Sequence, residues 1–155
     1  MIKLSRMADY GVILMVQFAR SGDRRVTAAE LASVTALPLP TVSKLTKQLA
    51  AANLLESHRG AAGGYVLARD PKDISVARIV AALEGPIALT ECMTSEGAVC
   101  EIEALCPTRT NWRRINEALV GALEDVSLAE MARSPFEGRD AGRQAAAESV
   151  VTTAI

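Results

Sequence analysis

Between Thr27 and Ala52 the chain starts two helices separated by one short turn, and that spacing restricts the fold more than any other feature of the sequence. Thr27-Ala-Ala-Glu30 is a capping box, in which the threonine hydroxyl and the glutamate carboxylate each satisfy a free backbone amide at a helix start. This helix is expected to run to about Val34. Thr35-Ala-Leu-Pro38 reads as a turn, and Pro40 suits the first position of the next helix, where no amide hydrogen is needed. Val42, Leu45, Leu49 and Ala52 then fall on one face at helical spacing.

The flanks complete the pattern. Leu4 to about Arg20 contains no proline and carries apolar residues around most of its circumference, as a central helix does, before Ser21-Gly22-Asp23 breaks it. After the helix pair, Leu54 to His58 and Tyr65 to Ala68 read as short strands. The residues between them, Arg59 to Gly64, include three glycines that permit positive φ in a tight loop. Ser75 is placed to cap a further helix that ends at Gly85, with Ile79, Val80 and Leu83 inward. Helix, capped helix, turn, helix and glycine-tipped hairpin is the order of a winged helix-turn-helix: mainly α, with a small β-hairpin wing. Aromatic residues are only 3% of the chain, so the core must be aliphatic.

In such a module the second helix of the pair enters the major groove, and a wing residue reaches the minor groove. The outer side of the Pro40–Ala52 helix offers Thr41, Ser43, Lys44, Lys47 and Gln48, hydrogen-bonding and cationic groups suited to base edges and phosphates. His58 and Arg59 belong to the wing. Charge is divided to match: Met1 to Lys72 holds ten Lys/Arg against five Asp/Glu, net +5, and the remainder seven against thirteen, net −6. Only the first part is suited to meet a polyanion. On pattern alone, a winged helix devoted to protein contacts remains the alternative; it predicts no salt-dependent DNA affinity.

All the cysteine of the chain, Cys92, Cys100 and Cys106, lies in one loop-like segment. An odd count cannot pair fully within one chain, and three soft thiolates together point to a metal or iron–sulfur site or to a redox switch. Zinc prefers four nitrogen or sulfur ligands, and the single histidine, His58, lies far away in sequence. A cluster-free thiol switch would draw on Cys100 or Cys106 beside Arg109. Beyond this segment Trp112, Ile115, Leu119, Ala122 and Val126 recur at three- and four-residue steps over roughly four turns, a stripe suited to a dimer helix. Ser127-Leu-Ala-Glu130 is a second capping box, starting a short last helix. Residues 135–155 are small and polar before a weak apolar end and are expected to be largely disordered.

The stretch NLLESHRGAAGGYVLARDPKDISVARIVAALEG closely resembles the wing and following helix of the IscR/NsrR-type winged-helix regulators, in which an Arg-Gly wing, Gly-Gly-Tyr and a helix ending in Glu-Gly recur in this order. The similarity extends from Met1 to about Met131. CPTRTNWRRIN and DVSLAEM look most like the subgroup that regulates the Suf iron–sulfur assembly operon. The resemblance implies a homodimeric transcription regulator acting on a two-fold related double-stranded DNA operator. It also implies an iron–sulfur cluster, 2Fe–2S or 4Fe–4S, on Cys92, Cys100 and Cys106. Some relatives place a histidine three residues after the last cysteine, where this chain has Arg109. Nitric-oxide-sensing relatives use an aspartate near the N-terminus from the partner subunit, a position Asp9 matches. A nitric oxide or redox-responsive repressor using the same cysteines, with or without a cluster, is the alternative.

These readings divide the chain into a DNA-binding domain (1–85), a cysteine-bearing sensor loop (86–108), a dimerisation helix with a short terminal helix (109–134) and the tail. An enzyme is not expected, since no nucleophile motif appears and RGAAGG is not followed by a helix start, as a dinucleotide site requires. Lys3 and Arg6 precede an apolar run from Tyr10 to Val16, but Asp9 and Gln17 bound it and no small-residue cleavage site follows cleanly. No run approaches membrane-spanning length, and a cytoplasmic protein is expected.

Overall fold

The computed structural model describes residues 3–60, 63–93 and 105–133. Its elements are α1 (Arg6–Ser21), α2 (Ala28–Thr35), α3 (Leu39–Ala51), β1 (Leu55–His58), β2 (Gly64–Leu67), α4 (Val76–Glu84), α5 (Arg109–Glu124) and α6 (Leu128–Ala132), with short 3-10 turns at Pro71–Asp73 and Glu91–Met93. The expected tail lies outside the described residues, as do Cys100 and the wing residues Ala61 and Ala62.

Helix α1 starts at Arg6, two residues later than the apolar pattern from Leu4 suggests, because Ser5 caps it. Ser5 Oγ accepts from the Met7 and Ala8 amides at 3.1 and 3.2 Å. Its inward residues Ala8, Leu14, Met15 and Phe18 are buried, and Gly11 lets α4 approach so closely that a Cβ there would overlap Leu83 Cδ1. Around α1 pack α2, α3, α4 and α6. Leu31, Val42, Leu45, Leu49, Leu54, Ile74, Ile79 and Leu128 complete an aliphatic core. The one buried polar side chain among the described residues, Thr46, is satisfied: its hydroxyl donates to the Val42 carbonyl at 3.0 Å.

Helix α2 begins with the expected capping box. Glu30 Oε2 accepts from the Thr27 amide at 2.7 Å, and the Glu30 amide donates to Thr27 Oγ1 at 3.2 Å. Arg24 Nη1 stands 2.9 Å from the other carboxylate oxygen. The Thr27 amide, then the Arg24 guanidinium, pull the Glu30 carboxyl from 4.5 down to about 2. A depressed acid stabilises the fold fully above its unfolded value and loses that contribution as pH falls through the folded one. Protection of the Thr27 amide, its exchange rate compared with that of unstructured chain at the same pH, should therefore fall between about pH 4.5 and about pH 2 in the native chain. Comparison with E30Q isolates the carboxylate, because the amide variant carries no such titration.

Helix α3 starts one residue earlier than expected. Pro38 is its N-cap and Leu39 its first residue, so Pro40 occupies the second position, where its missing amide is equally harmless. The wing is an antiparallel pair with Leu55 opposite Leu67 and His58 opposite Gly64. The segment before α2 adds a single rung to it: Val26 and Tyr65 exchange both backbone hydrogen bonds, at 3.0 and 2.9 Å. Ser75 caps α4 by accepting from the Arg78 amide at 3.3 Å, and Gly85 ends it at φ +83°.

The end of the described chain folds back onto this body. Val76 N–H donates to the Val126 carbonyl at 2.9 Å, and Leu128 N–H to the Ile74 carbonyl at 2.7 Å. Helix α6 starts with the expected Ser127–Glu130 capping box and packs on α1 and on the 71–73 turn. Arg20 Nε donates to the Ala132 carbonyl at 3.2 Å, closing the return.

Candidate DNA interface and cysteine site

Helix α3 has two distinct sides. Val42, Leu45, Thr46 and Leu49 are buried against α1, α2 and α4. Lys44 and Lys47 are exposed, while Thr41, Ser43 and Gln48 are half-buried at its edges. None of the five α3 residues expected to face DNA is on the buried side, and the two cations are the most exposed of them. At the wing, Arg59 is exposed at the end of β1, and His58 is half-buried with its Nε2 4.0 Å from Glu56 Oε2. Gly63 N–H donates to the Gly60 carbonyl at 2.9 Å and helps close the wing turn. Gly60 and Gly64 hold φ of +103° and +148°, conformations that favour glycine.

Helix α5 packs on α4 and buries none of its residues fully. Leu123 lies against the core. The expected dimer stripe stays open: Trp112, Ile115 and Ala122 are exposed and Leu119 is half-buried. Val126 departs from that stripe. It lies beyond the end of α5, packs against the core, and its carbonyl holds the start of α4, because the helix stops at Glu124 before the fourth step is complete.

Cys92 occupies the 91–93 turn, which packs on α5, and Cys106 lies just ahead of the α5 N-terminus. Both thiols are free and partly exposed. Cys92 Sγ lies 3.2 Å from Thr90 Oγ1, and Cys106 Sγ 3.4 Å from Thr108 Oγ1. The Thr108 hydroxyl and amide, aided by Arg109, hold the Cys106 thiol below its ordinary value and favour the thiolate that a metal requires. Among the described residues of one chain, no three His, Cys, Asp or Glu side chains come together as a metal site. Asp9 is exposed in the first turn of α1, so it does not join Cys92 and Cys106 within a single subunit.

Sequence reasoning missed Asn116. Its side-chain oxygen accepts from the Leu89 amide at 2.9 Å and its nitrogen donates to the Ile87 carbonyl at 3.2 Å. One polar residue among several on the same helix, beside Arg113, Arg114 and Glu117, gives no pattern by which to find it.

The sequence model of the Rrf2 family, described as an iron-dependent transcriptional regulator, matches residues 4–134. The chain belongs to the Rrf2 family. The IscR transcriptional regulator of Serratia proteamaculans is 30% identical over 131 residues, covering 84% of this chain and 79% of the relative. That of Photobacterium profundum is 30% identical over 144 residues, covering 92% and 83%. Among solved structures, CymR, the global cysteine regulator of B. subtilis, is similar with a TM-score of 0.67 and 29% identity, over 85% of this chain and 97% of that one. T. potens IscR gives 0.64 and 30%, over 84% and 85%. As an Rrf2 protein the chain is a DNA-binding transcription regulator with the winged-helix fold; its named relatives are regulators, not enzymes. Among the described residues, no helix is long and apolar enough to cross a membrane.

Proposed function

We propose that this Rrf2 regulator is a homodimer that reads iron–sulfur cluster status and controls genes of cluster assembly. Residues 1–85 read DNA, 86–108 sense and 109–134 dimerise. Cys92, Cys100 and Cys106 are the thiolate ligands of a 2Fe–2S or 4Fe–4S cluster, and the partner's Asp9 is the fourth ligand. The donor set suits that group: thiolates are the usual ligands of such clusters, and Cys106 is held toward the thiolate form. When bound, the cluster supplies iron–thiolate bonds that oxygen, nitric oxide or iron shortage can break.

The observation that carries the reading is the position of the two described cysteines. One lies on a turn packed against α5 and the other at the approach to that helix. Helix α5 packs on α4, and α4 packs on both α1 and α3. Ligands at these positions therefore act on elements that carry Lys44 and Lys47. With the partner's Asp9 as a ligand, they also act on its α1.

Anaerobic reconstitution should give a coloured protein containing iron and sulfide, and operator affinity should differ between the cluster-bound and cluster-free dimer. A colourless, iron-free product would remove the cluster reading. Asp9→Ala should shorten cluster lifetime, and an unchanged lifetime clears Asp9 of the role. The K47A variant should weaken DNA binding across sequences and reduce its salt dependence by about one counterion.

The lowered Cys106 thiol favours one second reading, a redox-responsive repressor using the same cysteines without a cluster. It predicts a metal-free protein whose operator affinity changes with thiol oxidant alone.

A further inference from the structure

Asn116 lies on α5, which packs on α4 and on the 91–93 turn, and both ends of its side-chain amide are committed to one short piece of backbone. The Leu89 amide donates to Oδ1 at 2.9 Å, and Nδ2 donates to the Ile87 carbonyl at 3.2 Å, across 27 and 29 residues of chain. A carbonyl and the amide two residues on face the same side of extended backbone, and a neighbouring strand would bond both. Here a single carboxamide, half-buried, takes the place of that strand. Leu89 precedes Cys92 by only Thr90 and Glu91, and the turn bearing Cys92 also packs on α5. Cys106 is joined to the same helix through Pro107 and Thr108.

We infer that Asn116 is a positioning residue for the cysteine site: its amide fixes the 87–89 backbone on α5 and thereby sets where Cys92 stands relative to Cys106. The residue would touch no metal and no DNA. It acts by holding the turn of Cys92 against the helix that follows Cys106 before any metal binds, so that the site does not have to be ordered at the moment of loading. Other side chains cannot substitute freely. Alanine offers no polar atom, and aspartate accepts from Leu89 but has no hydrogen for the Ile87 carbonyl when ionised. The inference takes its purpose from the sensing role proposed above. Its test needs neither cluster nor DNA, so the two can fail separately.

The experiment uses the full chain, reduced and free of metal. Amide exchange is followed residue by residue, and alkylation of Cys92 and Cys106 by iodoacetamide is followed by peptide mass. In N116A, exchange at Leu89 should accelerate about tenfold, the effect of losing a net hydrogen bond of ordinary strength. Cys92 alkylation should accelerate with it, while α1 core amides stay protected. In N116D, Leu89 should remain closer to native protection than in N116A. Unchanged Leu89 exchange and Cys92 alkylation in N116A would overturn the assignment. So would equal acceleration in α1, which marks general destabilisation. Should N116A fail to fold, N116D decides: Leu89 protection near native with faster Cys92 alkylation supports the clasp, and native behaviour of both rejects it.

Discussion

Replacing Leu128 with alanine is expected to lower the stability of the fold by ~2–5 kcal/mol, the range for emptying a filled core position. Leu128 is the first residue of α6 and is completely buried, and its amide is bonded to the Ile74 carbonyl. It joins a core built on Leu14, Met15, Phe18 and Ile79, so truncation leaves a void lined by side chains that other elements hold in place. Whole domains are stable by only ~5–15 kcal/mol, so this single change removes a large share. Urea unfolding of the two proteins measures it directly. L128M, which keeps the volume, should lose under ~1.5 kcal/mol. Equal midpoints for L128A and the native chain would show that α6 does not belong to the core.

Gly64→Ala is expected to lower operator affinity by roughly ten- to a hundredfold, the loss that accompanies ~1–3 kcal/mol of DNA contact. Gly64 holds φ +148°, and an added Cβ would stand 3.0 Å from the Val26 carbonyl oxygen and 3.2 Å from its carbon. Backbone cannot yield as a side-chain tip can. The clash falls beside the rung that joins Val26 to Tyr65, and a two-stranded hairpin is marginal without such support. The wing should therefore loosen and misplace Arg59, while the helical core keeps its fold. Titration of labelled operator DNA gives the affinity, and amide exchange at Tyr65 reports the wing. Gly22→Ala is the control, since it meets nothing within 4 Å although its φ of +57° is also strained. Full affinity in G64A with an intact Tyr65 amide would refute the argument.

Features written in neighbouring residues were legible in the sequence. Both capping boxes, the Ser75 cap and the Gly85 stop depend on side chains within a turn of one another, and the structure has each of them. The winged-helix order followed from these and from the glycines of the wing. Boundaries moved where two local signals competed. Pro38 took the cap and left Pro40 second, and Ser5 set the start of α1. What distance decides was not legible. Val126 continues the α5 spacing but serves a backbone bond to Val76. Asn116 looks like any solvated polar residue until its partners at 87 and 89 are known. Of the candidate site, the two described cysteines were found by composition, and Cys100 lies outside the described residues.

The bond from Arg20 to the Ala132 carbonyl spans 112 positions, and Leu128 reaches the same central helix from nearly as far. Contacts between such distant parts of a chain form late and slow the search for the native state. Chains emerge from the ribosome at about 5–20 residues per second, so α1 waits several seconds for the element that covers one of its sides. Everything made in that interval, the cysteine segment included, precedes the completed core. A fully packed DNA-reading body therefore arises only in a chain that already carries its own cysteines.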